Sequence, residues 1–520
     1  MLIGDLVSAN ARRIPGSEAL VFEDRRVDWA GLNGRVNRLA NGLIGLGVRP
    51  GDRVAYILGN SIELAELYFA IAKAGGISIG IMPSSVGREI SYIVNDVGAK
   101  IVVTGHESLA EVTQISGELA SLETPIVIGG GGGGGMDYEA LISGAPDTEP
   151  DVAVDPDAVF AIKYTTGTTG FPKGCMRTHR QYLTNILVYL AKVPHYASDI
   201  ALIAMPISAG LGIHMMTTHA CAGIATVIRP KFDVEDLFEW IAAERVTMTY
   251  GILSLFDRIA DHPDLAKADL SSLRLLTGTS ATGDSRPGMG RIKANPTFKG
   301  GFVNAYGSTE TGGYVSYMLP HEVEAALQNP GKPDRMNSLG TEAPLFRIEA
   351  VDEDMKPVPA GEFGEMMVSG PSLLEGYWNR PEDTAAVLKD GWLVTGDVIT
   401  KDADGYIWLS GRKRDMIKTG GVNVYPVEIE AILSEHPKVD LIAVVGVPDA
   451  KWGEKVVACA VAQDGCSPRE LIDFCAGKLA GFKKPKAVYF FDELPTNDVG
   501  KLVKKDIAEL AIERAAATGD

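Results

Sequence analysis

The chain has few cysteines, no long apolar run and no excess of positive charge, and each absence excludes a class of protein. Its five cysteines (175, 221, 459, 466 and 475) are scattered, with no Cys-x-x-Cys pair, which argues against a disulfide framework or a cysteine metal site. No run of about 18 apolar residues occurs, so we expect no membrane span. Residues 1–5 lack the basic region and apolar core of a signal peptide, so we expect a cytoplasmic protein.

The charge balance excludes another class of partner. The net charge of −18 argues against binding to nucleic acid or to an anionic membrane surface. Residues 412–520 are nearly neutral, so almost the whole excess falls on residues 1–411. At 520 residues the chain is too long for one ordinary domain. We predict a large N-terminal domain, 1–411, and a small mobile C-terminal domain, 412–520.

Hydrophobic periodicity predicts an α/β fold. Residues 29–43 carry apolar side chains at helical spacing, 53–58 form an apolar strand, and Ser61 precedes a second helical stretch, 62–74. This alternation is typical of doubly wound α/β sheets. After residue 340 short strands with Gly and Pro turns predict a distorted β-barrel, and the last 110 residues predict a small α+β unit that includes a helix over 468–479. The seven glycines at 129–135 are interpreted as a flexible surface loop.

Residues 164–174 form a hydroxyl-rich loop that suits an anion. They follow an apolar strand pattern at 157–164 and combine backbone N–H groups, hydroxyls and one cation, a set that binds polyphosphate. The candidate ligand-binding residues are Thr165, Thr166, Gly167, Thr168, Thr169, Gly170 and Lys173. A plain Gly/Thr-rich surface turn is the alternative. The P-loop motif of kinases and ATPases is absent, because Phe171 and Pro172 separate Gly170 from the lysine.

This loop resembles the phosphate loop of the adenylate-forming superfamily, which contains acyl-CoA synthetases, aryl-acid ligases, luciferases and peptide-synthetase adenylation domains. Five further segments resemble motifs of the same family in the same order, spread up to residue 501, and such an ordered set is far more specific than any single motif. They contain Gly278, Ser280 and Ala281; Tyr306, Gly307, Thr309 and Glu310; Asp397; Arg412, Gly420 and Gly421; and Lys501.

The resemblance implies a role for each of these residues. Tyr306 and Gly307, with the turn of Gly278, Ser280 and Ala281, would flank adenine, and Asp397 and Arg412 would bind ribose and phosphate. Thr309 would meet phosphate, and Glu310 would hold Mg²⁺, a hard cation that prefers oxygen ligands. Lys501 would bridge the substrate carboxylate and the nucleotide.

The implied activity is that of an AMP-forming carboxylic acid–CoA ligase. Its cofactors would be ATP, Mg²⁺ and coenzyme A, and it would form an acyl-adenylate and then a thioester. Between the two steps the small domain would rotate about a hinge near Arg414, and Gly420 and Gly421 would then line a tunnel for pantetheine.

The identity of the acid is less constrained by the sequence. The segment 206–214 carries no carboxylate to hold an amino group, which disfavours an amino-acid substrate. Many relatives have an aromatic residue and a His at positions that correspond to Ser208 and Ala209. This departure indicates extra room there and favours a bulky apolar acid: medium- or long-chain, aromatic or alicyclic. Met215 and Met216 are considered as pocket residues, with packing in the core as the favoured alternative. Two alternatives stay open, a ligase that loads the pantetheine of a carrier protein and a nucleotide-binding relative without turnover. The oligomeric state is also open, with a homodimer among the options.

Overall fold

The computed structural model describes residues 1–119, 122, 125–130, 135–165, 172–208, 210–279, 286–329, 334–449, 451–496 and 502–518. Most of the predicted phosphate loop lies outside these ranges, and so do the centre of the glycine run and three further predicted site residues. The predicted site residues concerned are Thr166, Gly167, Thr168, Thr169, Gly170, Ser280, Ala281 and Lys501.

Helices and strands alternate along most of the chain, as the sequence predicts. The helices are α1 Asp5–Arg13, α2 Trp29–Gly45, α3 Ile62–Lys73, α4 Gly87–Val97, α5 His106–Ile115, α6 Tyr138–Ser143, α7 His179–Lys192, α8 Gly210–Ala222, α9 Val234–Glu244, α10 Leu253–Asp261, α11 Arg286–Ala294, α12 Pro320–Gln328, α13 Pro381–Val387, α14 Pro426–Leu433, α15 Pro468–Phe474 and α16 Lys504–Thr518. The strands are β1 Glu18–Phe22, β2 Arg25–Asp28, β3 Arg53–Ile57, β4 Ile77–Ile81, β5 Ile101–Thr104, β6 Ile126–Val127, β7 Met136–Asp137, β8 Val159–Tyr164, β9 Gly174–Thr178, β10 Ile200–Ile203, β11 Ala225–Ile228, β12 Met248–Ile252, β13 Leu275–Thr279, β14 Gly301–Ser308, β15 Gly313–Met318, β16 Thr341–Glu342, β17 Arg347–Val351, β18 Gly364–Ser369, β19 Leu388–Lys389, β20 Trp392–Lys401, β21 Ile407–Arg412, β22 Ile417–Thr419, β23 Val422–Val424, β24 Val439–Asp449, β25 Gly453–Ala462 and β26 Ala487–Phe490.

Two large sheets form the N-terminal part. One has the strand order β16-β15-β14-β13-β12-β10-β11-β1-β2, and the other has the order β7-β6-β5-β3-β4-β8-β9. Helix α3 contacts β1 of the first sheet and β4 of the second, and every residue along it is buried. A helix that is buried on all sides lies between two layers, and the three charged residues of α3 form ion pairs there. The structure confirms the predicted class, an α/β protein of stacked sheets.

Two smaller sheets follow. Strands β17 to β21 form an antiparallel sheet, in which Asp397 of β20 pairs with Arg412 at the end of β21. The last sheet has the order β23-β22-β25-β24, with β26 parallel to β25, and it packs against α14, α15 and α16. Arg412 thus pairs with a strand of the third sheet, and the domain boundary between 411 and 412 stays a prediction.

Most element bounds agree with the sequence patterns to within one or two residues. The main exception is the helix expected over 468–479, which ends at Phe474. Gly477 has a φ of +78°, a left-handed conformation that terminates helices. Within the described residues, none of the helices is both long and apolar enough to span a bilayer.

Candidate active site

The hydroxyl-rich loop connects two antiparallel strands at the edge of the seven-stranded sheet. Tyr164 at the end of β8 pairs with Gly174 at the start of β9, and the Thr165 amide donates to the Lys173 carbonyl at 3.0 Å. The Lys173 ammonium lies 2.6 Å from Asp383 Oδ1 and 5.3 Å from the centre of the Tyr377 ring. The base of the loop and its cation are therefore fixed by the main chain and by side chains about 200 residues away.

Glu310 lies in the turn between β14 and β15. Its carbonyl accepts a hydrogen bond from the Leu374 amide at 2.9 Å, and its Oε1 accepts one from the Tyr377 hydroxyl at 3.0 Å. Within the described part of the chain its Oε2 accepts no hydrogen bond, so one carboxylate oxygen has lone pairs for a hard cation. Gly307 is required here by close packing, since a Cβ atom would lie 2.1 Å from the Gly313 carbonyl oxygen.

Tyr306, Asp397 and Arg412 form a buried cluster beside this turn. Asp397 is only 2% exposed; the Tyr306 hydroxyl donates to its Oδ2, and Arg412 Nε lies 2.9 Å from its Oδ1. Burial raises the pKa of Asp397, and the Arg412 charge opposes that rise. The carboxylate is thus held in one orientation by two donors that come from different parts of the chain.

These contacts bring the described site residues into one place. Lys173 reaches Glu310 through Tyr377, and the Glu310 charge acts on Asp397 and on Arg412. Thr309 lies beside Glu310, and its carbonyl accepts a hydrogen bond from Arg177. Gly278, near the carboxyl end of β13, pairs with Asn304 of β14, two residues before Tyr306. Residues predicted from separate motifs therefore converge on one region.

Gly420 and Gly421 form the two-residue turn of the β22–β23 hairpin. Their φ values are +59° and +80°, and positive values at both central positions are those of a tight hairpin turn that strongly favours glycine. A Cβ on Gly421 would meet no atom within 4 Å. The turn conformation is thus a reason for these glycines that is independent of the predicted pantetheine tunnel.

An apolar cavity of about 210 Å³ adjoins Gly420 and is lined by Lys486, while the nearby Lys483 pairs with Glu428. Trp452 and Phe482 line it and are 37% and 41% exposed. The Lys486 ammonium lies 5.7 Å from the Trp452 ring centre, and that of Lys483 lies 5.9 Å from the Phe482 ring centre. Exposed aromatic rings beside lysines can stack on a base and attract phosphate.

The region behind the Gly278 and Glu310 turns is filled by aromatic and imidazole side chains. Tyr189, Tyr250 and Tyr314 are buried there, and the His214 ring packs at 5.3 Å from Tyr182 and 6.1 Å from Tyr314. Burial lowers the pKa of His214 to about 3, so its ring is neutral at pH 7. Among the described residues, neither ring nitrogen of His214 nor the Tyr314 hydroxyl has a hydrogen-bond partner.

Two sequence interpretations about the acid pocket can be compared with this region. Met215 and Met216, considered as pocket residues, lie in the main hydrophobic core and are at most 1% exposed. Ser208, where extra room is expected, has its Oγ 3.4 Å from the sulfur of Met82, and its carbonyl oxygen would lie 2.9 Å from a Cβ on Gly80. Ala209 lies outside the described residues.

Several residues at the site have no sequence motif that singles them out. Tyr377 binds Glu310, Asp383 pairs with Lys173, and Arg177 binds the Thr309 carbonyl. Trp452 and Phe482 belong to the same group. The only signal for them in the sequence is indirect: Trp452 and Phe482 stand among lysines, and Arg177 is a charge within the apolar pattern of a strand.

The sequence matches two family descriptions, "AMP-binding enzyme" over residues 7–378 and "AMP-binding enzyme C-terminal domain" over residues 428–501. It is 35% identical to a feruloyl-CoA synthase of Amycolatopsis sp (97% of this chain, 98% of the relative) and 33% identical to an indoleacetate–CoA ligase of Aromatoleum aromaticum (99% of each). A long-chain-fatty-acid–CoA ligase of Mycobacterium tuberculosis is 32% identical over 98% of each chain.

The similarity extends to solved structures. A crystal structure of an anthranilate CoA ligase with anthranoyl-AMP superposes with a TM-score of 0.90, at 27% identity and with 99% and 98% of the two chains covered. The predicted fold class and enzyme class are confirmed by these similarities. The chain belongs to the AMP-binding enzyme family: it is an AMP-forming acid–thiol ligase of the adenylate-forming superfamily.

Proposed function

We propose that this ligase activates an aromatic carboxylic acid, and that the motif residues have the roles expected from the sequence. The observation that carries the nucleotide roles is that Lys173, Tyr377 and Glu310 form one chain of contacts, and that the Glu310 charge acts on the cluster of Tyr306, Asp397 and Arg412. These groups bring together a cation, a carboxylate oxygen that accepts no hydrogen bond from the described residues, and a buried carboxylate that could accept hydrogen bonds from ribose hydroxyls. That combination suits a nucleoside polyphosphate.

In the first step the carboxylate oxygen of the acid attacks the α-phosphorus of ATP, and pyrophosphate leaves. Both reactants are anions, so positive charge at the leaving group lowers the barrier. Lys173 would bind the departing phosphates, and Asp397 would accept hydrogen bonds from the ribose hydroxyls. Glu310, with one carboxylate oxygen available, would hold Mg²⁺, which when bound neutralises polyphosphate charge. Lys501 would orient the attacking carboxylate.

In the second step a thiol attacks the carbonyl carbon of the acyl-adenylate, and AMP leaves. We propose that the thiol belongs to free coenzyme A. The aromatic cavity beside Gly420 supports this acceptor, because Trp452 and Phe482 offer faces for an adenine ring and Lys486 offers a charge for the phosphates of coenzyme A. The rotation of the small domain about Arg414 belongs to the same proposal.

The acid is proposed to carry an aromatic ring with a hydrogen-bonding substituent. The side chains behind the Gly278 and Glu310 turns are tyrosines and histidines, and His214 and Tyr314 have polar atoms that lack partners in the described part of the chain. Buried polar groups of this kind are costly unless something binds them. Feruloyl-CoA synthase and indoleacetate–CoA ligase among the relatives are named for acids of this type.

A panel of acids tests the proposal. Pyrophosphate release with CoA present would be measured for hydroxycinnamic, indoleacetic, phenylacetic and benzoic acids, and for medium- and long-chain fatty acids. We expect kcat/KM to be highest for an aromatic acid with a ring hydroxyl or ring N–H. A preference for an unsubstituted fatty acid would contradict the assignment of the acid and leave the ligase chemistry intact.

Two alternative functions can be distinguished from the proposed one by the identity of the acyl acceptor and by the presence of turnover. Saturable dependence on free CoA would exclude a ligase that loads only a carrier protein. Pyrophosphate release that depends on the acid would exclude a binding protein without turnover. The homodimer and the cytoplasmic location stay predictions from sequence; sedimentation and cell fractionation would test them.

A further inference from the structure

Arg177 is a fully buried arginine next to the metal-binding turn. It lies on β9 with 0% exposure. Its Nη1 donates to the Ser372 carbonyl at 2.7 Å, and its Nη2 donates to the Thr309 carbonyl. Its Nε has no partner among the described residues. One guanidinium thus binds main-chain oxygens of two segments that are distant in sequence.

Packing alone does not account for a charge at this position. Burial lowers the pKa of Arg177, and the Glu310 charge opposes this fall; its guanidinium donates hydrogen bonds to main-chain carbonyl oxygens. Taking a charge out of water costs several kcal/mol, and even complete buried ion pairs can often be replaced by apolar residues without loss of stability. A buried guanidinium that binds main-chain oxygens therefore indicates a task in which its charge or its two donors are needed.

The contacts show what Arg177 holds. The turn 308–313 carries Glu310, and a Cβ on Gly312 would lie 2.8 Å from Arg177 Nη1 and 2.6 Å from the Ser372 carbonyl oxygen. Ser372 also supports this turn, since its hydroxyl donates to the Thr311 carbonyl at 2.8 Å. The guanidinium therefore lies directly against the turn, between it and the segment that contains Ser372.

Charged side chains of both signs lie around the base of the hairpin that carries the phosphate loop. Lys163, Lys173 and Arg177 all act electrostatically on the Cys175 thiol, and Glu310 acts on it with the opposite sign. Lys173 is paired with Asp383, and burial lowers the pKa of Lys163, whereas the Arg177 guanidinium stays charged and binds main-chain carbonyl oxygens.

We propose that Arg177 is a positioning residue for adenylation: its two donors fix the Thr309–Glu310 turn, and its charge lies close to the Glu310 carboxylate that would hold Mg²⁺. The inference rests on the proposed role of Glu310, and it is independent of which acid is the substrate. It assigns no task to Arg177 in thioester formation, because pyrophosphate has already left when the thiol attacks the acyl-adenylate.

The test separates the two half-reactions in three variants. Arg177→Met removes the charge and the donors and keeps a side chain of similar length, and Arg177→Lys keeps the charge without the two-donor geometry. Arg180→Met is the matched control, because Arg180 is exposed and pairs with Asp157 at the surface. Pyrophosphate exchange would be measured with the best acid of the wild type over a range of Mg²⁺ concentrations. Thioester formation would be measured from supplied acyl-AMP. Hydrogen exchange of peptides covering 306–318 gives a readout without substrates.

We expect Arg177→Met to lose about 10- to 100-fold in exchange rate and to need more Mg²⁺ for half-saturation, while thioester formation stays within about threefold. Arg177→Lys should regain part of the exchange rate, whereas the 306–318 amides should exchange faster in both variants. Arg180→Met should match the wild type.

Two results would overturn the inference. One is a folded Arg177→Met variant with wild-type pyrophosphate exchange, and the other is an equal loss in both half-reactions. If Arg177→Met does not fold, the same comparison in Arg177→Lys decides. A Glu310→Gln variant distinguishes failure of the Arg177 inference from failure of the proposed metal site. If Glu310→Gln has the Mg²⁺ dependence of the wild type, the role of Glu310 is contradicted, regardless of the result for Arg177.

Discussion

Replacement of Asp397 by asparagine should weaken recognition of the ribose of ATP. The carboxylate is 2% exposed and is oriented by Arg412 Nε at 2.9 Å and by the Tyr306 hydroxyl. The amide side chain would keep the shape of the carboxylate and lose its charge. Hydrogen bonds to a charged group contribute about 1.5–3 kcal/mol each, so the loss of one such contribution lowers kcat/KM for ATP by about 10- to 150-fold.

The assay compares ATP with 2′-deoxy-ATP in pyrophosphate exchange. If Asp397 accepts from the ribose, the wild type should prefer ATP by a factor similar to the mutational loss, and the variant should prefer it by about threefold or less. This double difference isolates the ribose contact from general damage to the site. Thermal unfolding of the variant shows whether it is folded.

The control is the variant Asp404→Asn. In the wild type the side chain of Asp404 is 68% exposed and pairs with Arg335. It should leave both nucleotides unaffected, because exposed ion pairs contribute little. A folded Asp397→Asn variant that still discriminates between the nucleotides as strongly as the wild type would refute the ribose assignment.

Three further predictions concern the other parts of the account. Lys501→Ala should abolish acid-dependent pyrophosphate exchange and leave thioester formation from supplied acyl-AMP; equal loss of both would contradict the two-step use of the small domain. Trp452→Ala should raise the KM for CoA about tenfold with exchange unchanged, and an unaltered KM would remove the cavity from the CoA site. Burial lowers the pKa of His214 to about 3 and that of His179 to about 4, so below pH 6.5 the unfolded chain takes up protons that the folded chain does not. The free energy of unfolding, measured with denaturant, should therefore fall by about 2 kcal/mol per histidine between pH 7 and pH 5; a His214→Phe variant with the same pH slope as the wild type would show that the histidine does not titrate in this way.

The elements that depend on local chemistry could be predicted from the sequence. Helix α3 begins where Ser61 Oγ accepts from the Leu64 amide at 3.1 Å, and it is followed by Gly75 with a φ of +74°. Helix caps, terminating glycines and hydrophobic periodicity depend on residues that are close together in the chain, so short stretches of sequence are enough to recognise them. The motifs are equally local, and their order along the chain indicates the family.

Contacts between distant segments could not be predicted in this way. The Tyr377 hydroxyl meets Glu310 across 67 residues, and Arg177 meets the Thr309 carbonyl across 132 residues. The partition of the strands between two sheets is also set by pairing at long range. No window of the sequence contains both partners of such a contact, so Tyr377, Arg177 and Asp383 were found only in the structure.

The glycines at 420 and 421 show how a sequence interpretation can omit a structural reason. The family resemblance assigns them to a tunnel, whereas the structure gives both a positive φ in a hairpin turn. The two reasons predict different outcomes. A residue that tolerates positive φ, such as asparagine in place of Gly421, should keep the hairpin and still obstruct a tunnel.

Transfer of oxygen from the acid to AMP tests the central claim most directly. The wild-type enzyme would be incubated with a carboxylic acid labelled with ¹⁸O in its carboxylate, ATP, Mg²⁺ and CoA, and the products would be analysed by mass spectrometry. If the acid is first joined to AMP and then transferred to sulfur, each AMP formed carries one ¹⁸O and pyrophosphate carries none. Label in pyrophosphate or inorganic phosphate, or none in AMP, would contradict the account.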